Sequence, residues 1–291
     1  MKESERSIIS IQSLVSTGYV GNNVAGFAIQ LHGLNIVVLP TVMLSSHTDQ
    51  KVYYGEVIKP ELFEKLTRGI SEIEIYQNTK YLLTGYIRDN DLITLSRSFI
   101  SNWKELDKKN NYVYDPVFGD SRAGGLYIPK EVADYSLEQL LPLADVITPN
   151  QFELEYILKE EIKGEEQLLN LVNNHPQLST KKVVLTSAIL EDTPANLIEV
   201  ILIADGKVHR FVSQKINIEL VGTGDLFASI LTSQLALGRS IAKAIEVGMH
   251  FLCSVLEYAK EAHLPEMDAI SILQAQSLLE VNVAKEKALS I

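Results

Sequence analysis

The chain has 291 residues, 46% of them hydrophobic, enough to bury a large core. Its 26 Lys and Arg against 37 Asp and Glu give a formal net charge of −11, which excludes broad attraction to nucleic acid or anionic lipid. An anionic substrate would therefore need local donors or a bridging cation. The single cysteine, Cys253, excludes an intramolecular disulfide framework and a cysteine-based zinc cluster, and it suits a reducing cytoplasm.

Residues 1–6, MKESER, balance their charges, and no A-x-A-like cleavage site follows a proper apolar region, so no secretory signal is expected. From Ser7 to Thr48 there is no Asp, Glu, Lys or Arg. The stretch is interrupted by Gly18, Gly21, Asn22, Asn23, Gly26, Gln30, Gly33, Asn35 and Pro40, so no membrane span is expected either. Both readings place the protein in the cytoplasm.

Short β-branched runs alternate with longer amphipathic stretches. That alternation predicts a single α/β domain over residues 1–291, with a mostly parallel sheet and crossover helices. In chain order the expectation is a strand at 8–13, a helix at 22–32, a strand at 35–40, a small flap of short strands at 41–58 and a helix at 60–75. Next come a strand at 80–85, a helix at 90–107, strands at 112–115 and 145–148, helices at 150–159 and 165–174, and a strand at 182–187. Runs at 197–204 and 207–213 flank Asp205-Gly206, the signature of a two-residue hairpin, so the late sheet should contain antiparallel strands. Helices at 224–237, 240–262 and 267–279 complete the pattern.

Polar groups gather at the carboxyl ends of five predicted strands: Ser13, Gly85-Tyr86, Asp115-Pro116, Thr148-Pro149-Asn150 and Thr186-Ser187. In an open parallel sheet, ligands bind at that edge. Turn chemistry alone also places Ser, Thr, Asp and Asn at strand ends. The sharpest local pattern is VGTGD, residues 221–225, running into a 13-residue stretch without a charged side chain. Read alone, it fits a phosphate cradle at a helix start, and it equally fits an N-cap in which Asp225 accepts backbone hydrogen bonds. A methyl group added at Gly224 is expected to crowd a phosphate and to demand a disallowed backbone angle. There is no G-x-x-x-x-G-K-[ST], which argues against a P-loop nucleotidase.

VGTGDLFAS resembles the anion-hole and base signature of the ribokinase-like superfamily. Together with IQSLVSTGYVGN (11–22), SSHT (45–48), LTGYIRD (83–89), DPVFGD (115–120) and PLADVITPNQFELE (142–155), it is similar to the pyridoxal kinases, in the family's order from residue 8 to about residue 260. The resemblance implies a ribokinase-like fold and transfer of the γ-phosphoryl group of ATP to the 5′-hydroxyl of pyridoxal, and of pyridoxine and pyridoxamine. It implies that Asp225 is the base, with Gly222, Thr223 and Gly224 as the anion hole. Ser13, Val20, His47, Thr48 and Tyr86 would surround the vitamin ring, although His47 also reads as an ordinary loop histidine. Asn150, Glu153, Thr186, Ser187 and Thr223 would contact ATP. Asp115, Glu153 and Thr148 would organise Mg2+, with K+ or Na+ as a further cation, and a homodimer is implied. Asn150 and Glu153 also read as a capped helix start, and Thr186 as a buried strand residue.

Arg122, in the loop after DPVFGD, reads as a solvated surface arginine or a phosphate contact. Cys253 falls in a helix far from the loops, unlike the related kinases that carry a cysteine in their lid. The adenine pocket has no short signature, and the tail beyond Ala262 has no motif. Hydroxymethylpyrimidine kinase, sharing the phosphate machinery, and a non-catalytic vitamin-binding module are the alternatives.

Overall fold

The computed structural model describes residues 7–279, so the charged start at 1–6 lies outside it. Strand β1 (Ser7–Val15) is almost entirely buried because helices cover both faces of the sheet. Ile9 and Ile11 enter one core and Ile8 the other, as the two-residue period of a strand requires. Helix α1 (Gly21–Leu31) crosses to β2 (Asn35–Leu44), which pairs parallel with β1 from Ser7 opposite Asn35. Strand β3 (Gly55–Val57) folds back antiparallel on β2. The strands of the predicted flap are thus continuous with the main sheet, and only the loop between them leaves it.

Helices α2 (Pro60–Ser71) and α3 (Glu74–Asn78) replace the single helix expected at 60–75. The chain breaks at Ile73, which is extended, and α3 turns Tyr76 inward, its ring tilted against Phe99 at 4.8 Å between centres and its hydroxyl donating to the Phe99 carbonyl. Strand β4 (Tyr81–Thr84), α4 (Asn90–Leu106) and β5 (Asn111–Tyr114) follow as expected. A two-stranded hairpin of β6 (Gly119–Asp120) and β7 (Gly125–Leu126) then stands apart from the main sheet. Helix α5 (Lys130–Leu140), absent from the sequence reading, comes next.

After it come β8 (Val146–Ile147), α6 (Gln151–Leu158), α7 (Glu165–Asn174), β9 (Lys182–Ala188), β10 (Leu197–Ala204) and β11 (Lys207–Gln214). The chain closes with α8 (Thr223–Ala236), α9 (Ile241–Glu261) and α10 (Ala269–Gln274), the last shorter than expected and continued by a 3-10 turn. The main sheet has nine strands in the order β11-β10-β9-β8-β5-β4-β1-β2-β3. Pairs from β9 through β2 are parallel, whereas β10, β11 and β3 are antiparallel additions at the edges. Helices α2 to α7 pack on one face around Phe63, Phe99, Trp103 and Leu168. Helices α1, α8 and α9 cover the other through Ile29, Phe227, Leu231 and Ile245. The carboxyl ends of the parallel strands therefore share one edge, and the starts of α1, α6 and α8 face it.

Candidate active site

Two helix starts meet at this edge. The residue before α8 is Gly222, at φ 84°, and a Cβ there would stand 2.1 Å from the Tyr19 carbonyl oxygen, so only glycine fits. The helix therefore has no side-chain N-cap, and the N–H groups of its first turn, from Thr223, Gly224 and Asp225, have no intrahelical acceptor. They present a partial positive charge to the cleft. Asp225 is not the cap. It is the third residue of α8, and its Oδ2 accepts a 2.8 Å hydrogen bond from the N–H of Gly21, at the start of α1. Gly21 in turn lies on Ser13, where a Cβ would come 2.2 Å from Oγ. Gly224 has helical backbone and no atom within 4 Å of a Cβ position, so the disallowed angle expected there belongs to Gly222. Burial raises the Asp225 carboxyl to about 6, against the Gly21 N–H, which lowers it.

Asp115 follows β5 and Thr148 follows β8, and both are buried. The Thr148 hydroxyl donates to Asp115 Oδ1 at 2.8 Å. Burial and the charge of Asp225 push Asp115 up to about 8, which places the two carboxylates in one electrostatic group. Glu153 joins it: burial, and then Asp115, raise its carboxyl well above the usual range. Both its oxygens are engaged. Oε1 accepts from Phe118 N at 3.0 Å and Gly119 N at 3.4 Å, and Oε2 accepts from Asn150 N at 3.0 Å. Asn150 caps α6 by accepting from Glu153 N, and its amide donates to the Gly119 carbonyl. The capping box is real, and it also clamps the 115–120 loop onto α6.

Next to Gly21, Val20 packs with Val15, Val42 and Leu44, and Tyr86 packs against this cluster. Tyr86 stacks on Tyr127 with ring centres 6.5 Å apart. Tyr127, which sequence reasoning missed, is 44% exposed, yet desolvation within the cleft and the carboxylates Glu153, Asp225, Asp115 and Asp120 push its phenol well up. Its signal lay in the Gly124-Gly125 turn that returns the hairpin toward DPVFGD. His47 lies in the β2–β3 loop with its side chain 10% exposed, and Thr48 beside it is exposed. Thr186 donates to the Pro149 carbonyl through its N–H at 2.8 Å and its hydroxyl at 3.3 Å. Ser187 is exposed with φ 52°. Arg122 grips Asp120, with Nε to Oδ1 at 3.0 Å, and its side chain is half-exposed.

The site thus joins a partly positive helix start to a carboxylate on the same turn, beside a group of buried acids. Those acids accept their hydrogen bonds from Thr148 and from backbone N–H groups, none of which carries a charge. Such a group suits a cation. Among the described residues, no three His, Cys, Asp or Glu side chains converge into a protein-only metal site. The oxygen donors of Asp115 and its neighbours are of the kind that Mg2+ prefers, an ion that keeps several waters and binds through one or two carboxylates plus substrate phosphates.

A family model described as phosphomethylpyrimidine kinase matches residues 28–266. The human pyridoxal kinase is 32% identical over 241 residues, covering 79% of this chain and 77% of that protein. The pyridoxine/pyridoxal/pyridoxamine kinase of Bordetella avium is 30% identical over 260 residues, 89% of this chain and 88% of its own. The pyridoxal kinase of Leishmania donovani, solved in complex with ADP and pyridoxine, superposes with a TM-score of 0.81 at 29% identity, covering 95% of this chain and 97% of that one. The sheet superposes on that of a pyridoxal kinase, and the chain belongs to the phosphomethylpyrimidine kinase family, in its pyridoxal kinase branch.

Proposed function

We propose that the chain is an ATP-dependent pyridoxal kinase that esterifies the 5′-hydroxyl of pyridoxal, pyridoxine and pyridoxamine. The observation that carries this reading is the placement of Asp225, whose part-buried carboxylate is held by the Gly21 N–H on the first turn of the uncapped α8. A base and an anion hole on adjacent residues suit an alcohol acceptor. In the reaction the vitamer oxygen attacks the γ-phosphorus, the bond to the bridging oxygen of ADP breaks, and the hydroxyl proton passes to Asp225. The N–H groups of Gly222, Thr223 and Gly224 are assigned to the transferring phosphoryl oxygens as the anion hole, with the free first-turn N–H of Asp225 beside them. Because such transition states are loose, positioning and charge neutralisation outweigh proton removal.

Ser13, Val20, His47, Thr48 and Tyr86 are assigned to the vitamin ring. Asn150, Glu153, Thr186, Ser187 and Thr223 are assigned to ATP. Mg2+ would be organised by Asp115, Thr148 and Glu153 and would neutralise the phosphate charge. The exposed hydroxyl of Ser187, with Thr148 and Thr186, provides oxygens for K+ or Na+. Since the Glu153 oxygens already accept three backbone N–H groups, its part in the metal site is to fix the loop that carries Asp115.

Residues 1–291 are read as a single domain acting in the cytoplasm as a homodimer, which the exposed apolar side chains Val38, Met43, Tyr54, Leu62 and Leu66 support. Among the described residues no helix is long and apolar enough to cross a membrane. ADP formation measured with each vitamer and with hydroxymethylpyrimidine tests the reading. Turnover of the vitamers supports it, and turnover of the pyrimidine alone reassigns the chain to hydroxymethylpyrimidine phosphorylation.

A further inference from the structure

The short segment between α9 and α10 lies past the motifs read from the sequence, and it touches both halves of the site. Met267 is buried, and its Cε would lie 3.2 Å from a Cβ on Gly222, so it backs the turn that starts α8. The neighbouring Glu266 faces the opposite wall. Its Oε2 is 3.5 Å from His47 Nε2, and both side chains close on Gly18, whose Cβ position is 3.5 Å from His47 Cδ2 and 3.6 Å from Glu266 Oε2. The His47 Nδ1 is enclosed with no hydrogen-bond partner, although the side chain is nine-tenths buried.

An ionised carboxylate only accepts hydrogen bonds, so in the neutral imidazole Glu266 favours the tautomer that carries its proton on Nε2. Gln50 Nε2, also 3.5 Å from His47 Nε2, does not oppose this, because its amide can turn its oxygen inward. Nδ1 is then a bare acceptor in an enclosed place. Buried acceptors are met by donors, and the groups given above leave this one to the molecule that binds.

We propose that Glu266 is a positioning residue for the alcohol substrate: it fixes His47 in the tautomer whose Nδ1 accepts from a donor on the substrate ring. This rests on the reading that the substrate binds beside His47. A ring hydroxyl is such a donor, and specificity follows, because a ring that offers only an acceptor at this position would leave two acceptors facing each other.

The test is steady-state kinetics of the full-length protein with Glu266→Ala, Glu266→Gln, His47→Ala and the Ala/Ala double variant, each checked by thermal melting. Glu266→Ala is expected to raise the pyridoxal KM about tenfold while kcat and the ATP KM stay within about two-fold. Glu266→Gln should recover most of the loss, since its amide oxygen accepts the same proton. The double variant should be no worse than His47→Ala, as expected of residues acting in series. An unchanged pyridoxal KM in Glu266→Ala overturns the inference. So does an equal rise in both KM values, which would mark loss of support for α8 through Met267, and so does a double variant whose effects multiply. Nitrogen NMR of His47 in the ligand-free protein should show the Nε2–H tautomer, and the Nδ1–H tautomer would contradict it. If the wild type turns over no vitamer, the kinase reading fails by itself, and pyridoxal dissociation constants of wild type and Glu266→Ala then decide this inference separately.

Discussion

Replacing Asp225 by asparagine separates chemistry from architecture. The side chain makes one hydrogen bond, from Gly21 N to Oδ2, and an asparagine oxygen in the same place accepts it equally well. The tie between the starts of α1 and α8 should therefore survive, and removing a carboxylate whose charged form is disfavoured by burial should not lower the melting temperature. The proton acceptor is lost. For a positioned acid or base that loss is roughly 10² to 10⁴ in kcat, or about 3–5 kcal/mol of transition-state stabilisation. The pyridoxal and ATP affinities should change only a few-fold.

The pH profile adds a second reading of the same variant. With the carboxyl raised to about 6, the wild-type rate should fall tenfold per unit below that pH, and the variant should lack this limb. Because the Asp225 charge is the second cause holding Asp115 up, Asp115 should also titrate lower in the variant. Near-normal kcat in a folded Asp225→Asn protein would falsify the assignment, leaving the turn at Gly222 as a structural device alone.

Gly222→Ala should destabilise the fold by at least about 1–2 kcal/mol from its left-handed backbone, and more from the contact with Tyr19. Gly224→Ala should melt like the wild type, and equal melting of the two variants would refute the distinction. Asp115 goes from its ordinary 3.8 to about 8 on folding, so its contribution to stability is fully present below 3.8 and is lost as pH rises through about 8. Mg2+ with ATP favours the ionised form, so the gain in melting temperature it produces should be larger at pH 8 than at pH 6, and a pH-independent gain would remove Asp115 from the metal's surroundings. Glu153→Ala should raise the Mg2+ requirement more than the vitamer KM and should lower the melting temperature, because three backbone N–H groups lose their acceptor. An unchanged Mg2+ dependence would detach Glu153 from the metal. Sedimentation at micromolar concentration should show a dimer, and a 32.4 kDa species alone would count against one.

Features set by local periodicity and turn chemistry were legible in the sequence. The hairpin is the clearest case. Strand β10 spans residues 197–204 as expected, and Asp205 and Gly206 adopt φ of 52° and 70°, the pair of positive angles that a two-residue turn needs. The helix at 165–174 and the polar strand ends along the binding edge were equally readable. Helix α5 was hidden because its buried stripe of Val132, Ala133 and Leu140 is interrupted by Ser136, a polar residue buried there because it hydrogen bonds the Tyr114 hydroxyl at 2.8 Å. Within the site, the residue types were readable and their partners were not. Asp225 finds its donor 204 positions away, and that donor is a backbone N–H, which no side-chain pattern reports. Glu266 and Tyr127 reach the cleft only through tertiary folding, from segments whose local sequence announces a helix end and a hairpin.

The most direct test of the account is the fate of the γ-phosphoryl group. Phosphorus NMR of the purified protein with ATP, Mg2+ and pyridoxine should show one phosphate monoester, coupled to the 5′-methylene protons, for each ADP formed. Asp225→Asn should slow its appearance without diverting it. ADP accompanied by inorganic phosphate and no ester would mean that water is the acceptor, and it would contradict the assignment of this cleft to an alcohol.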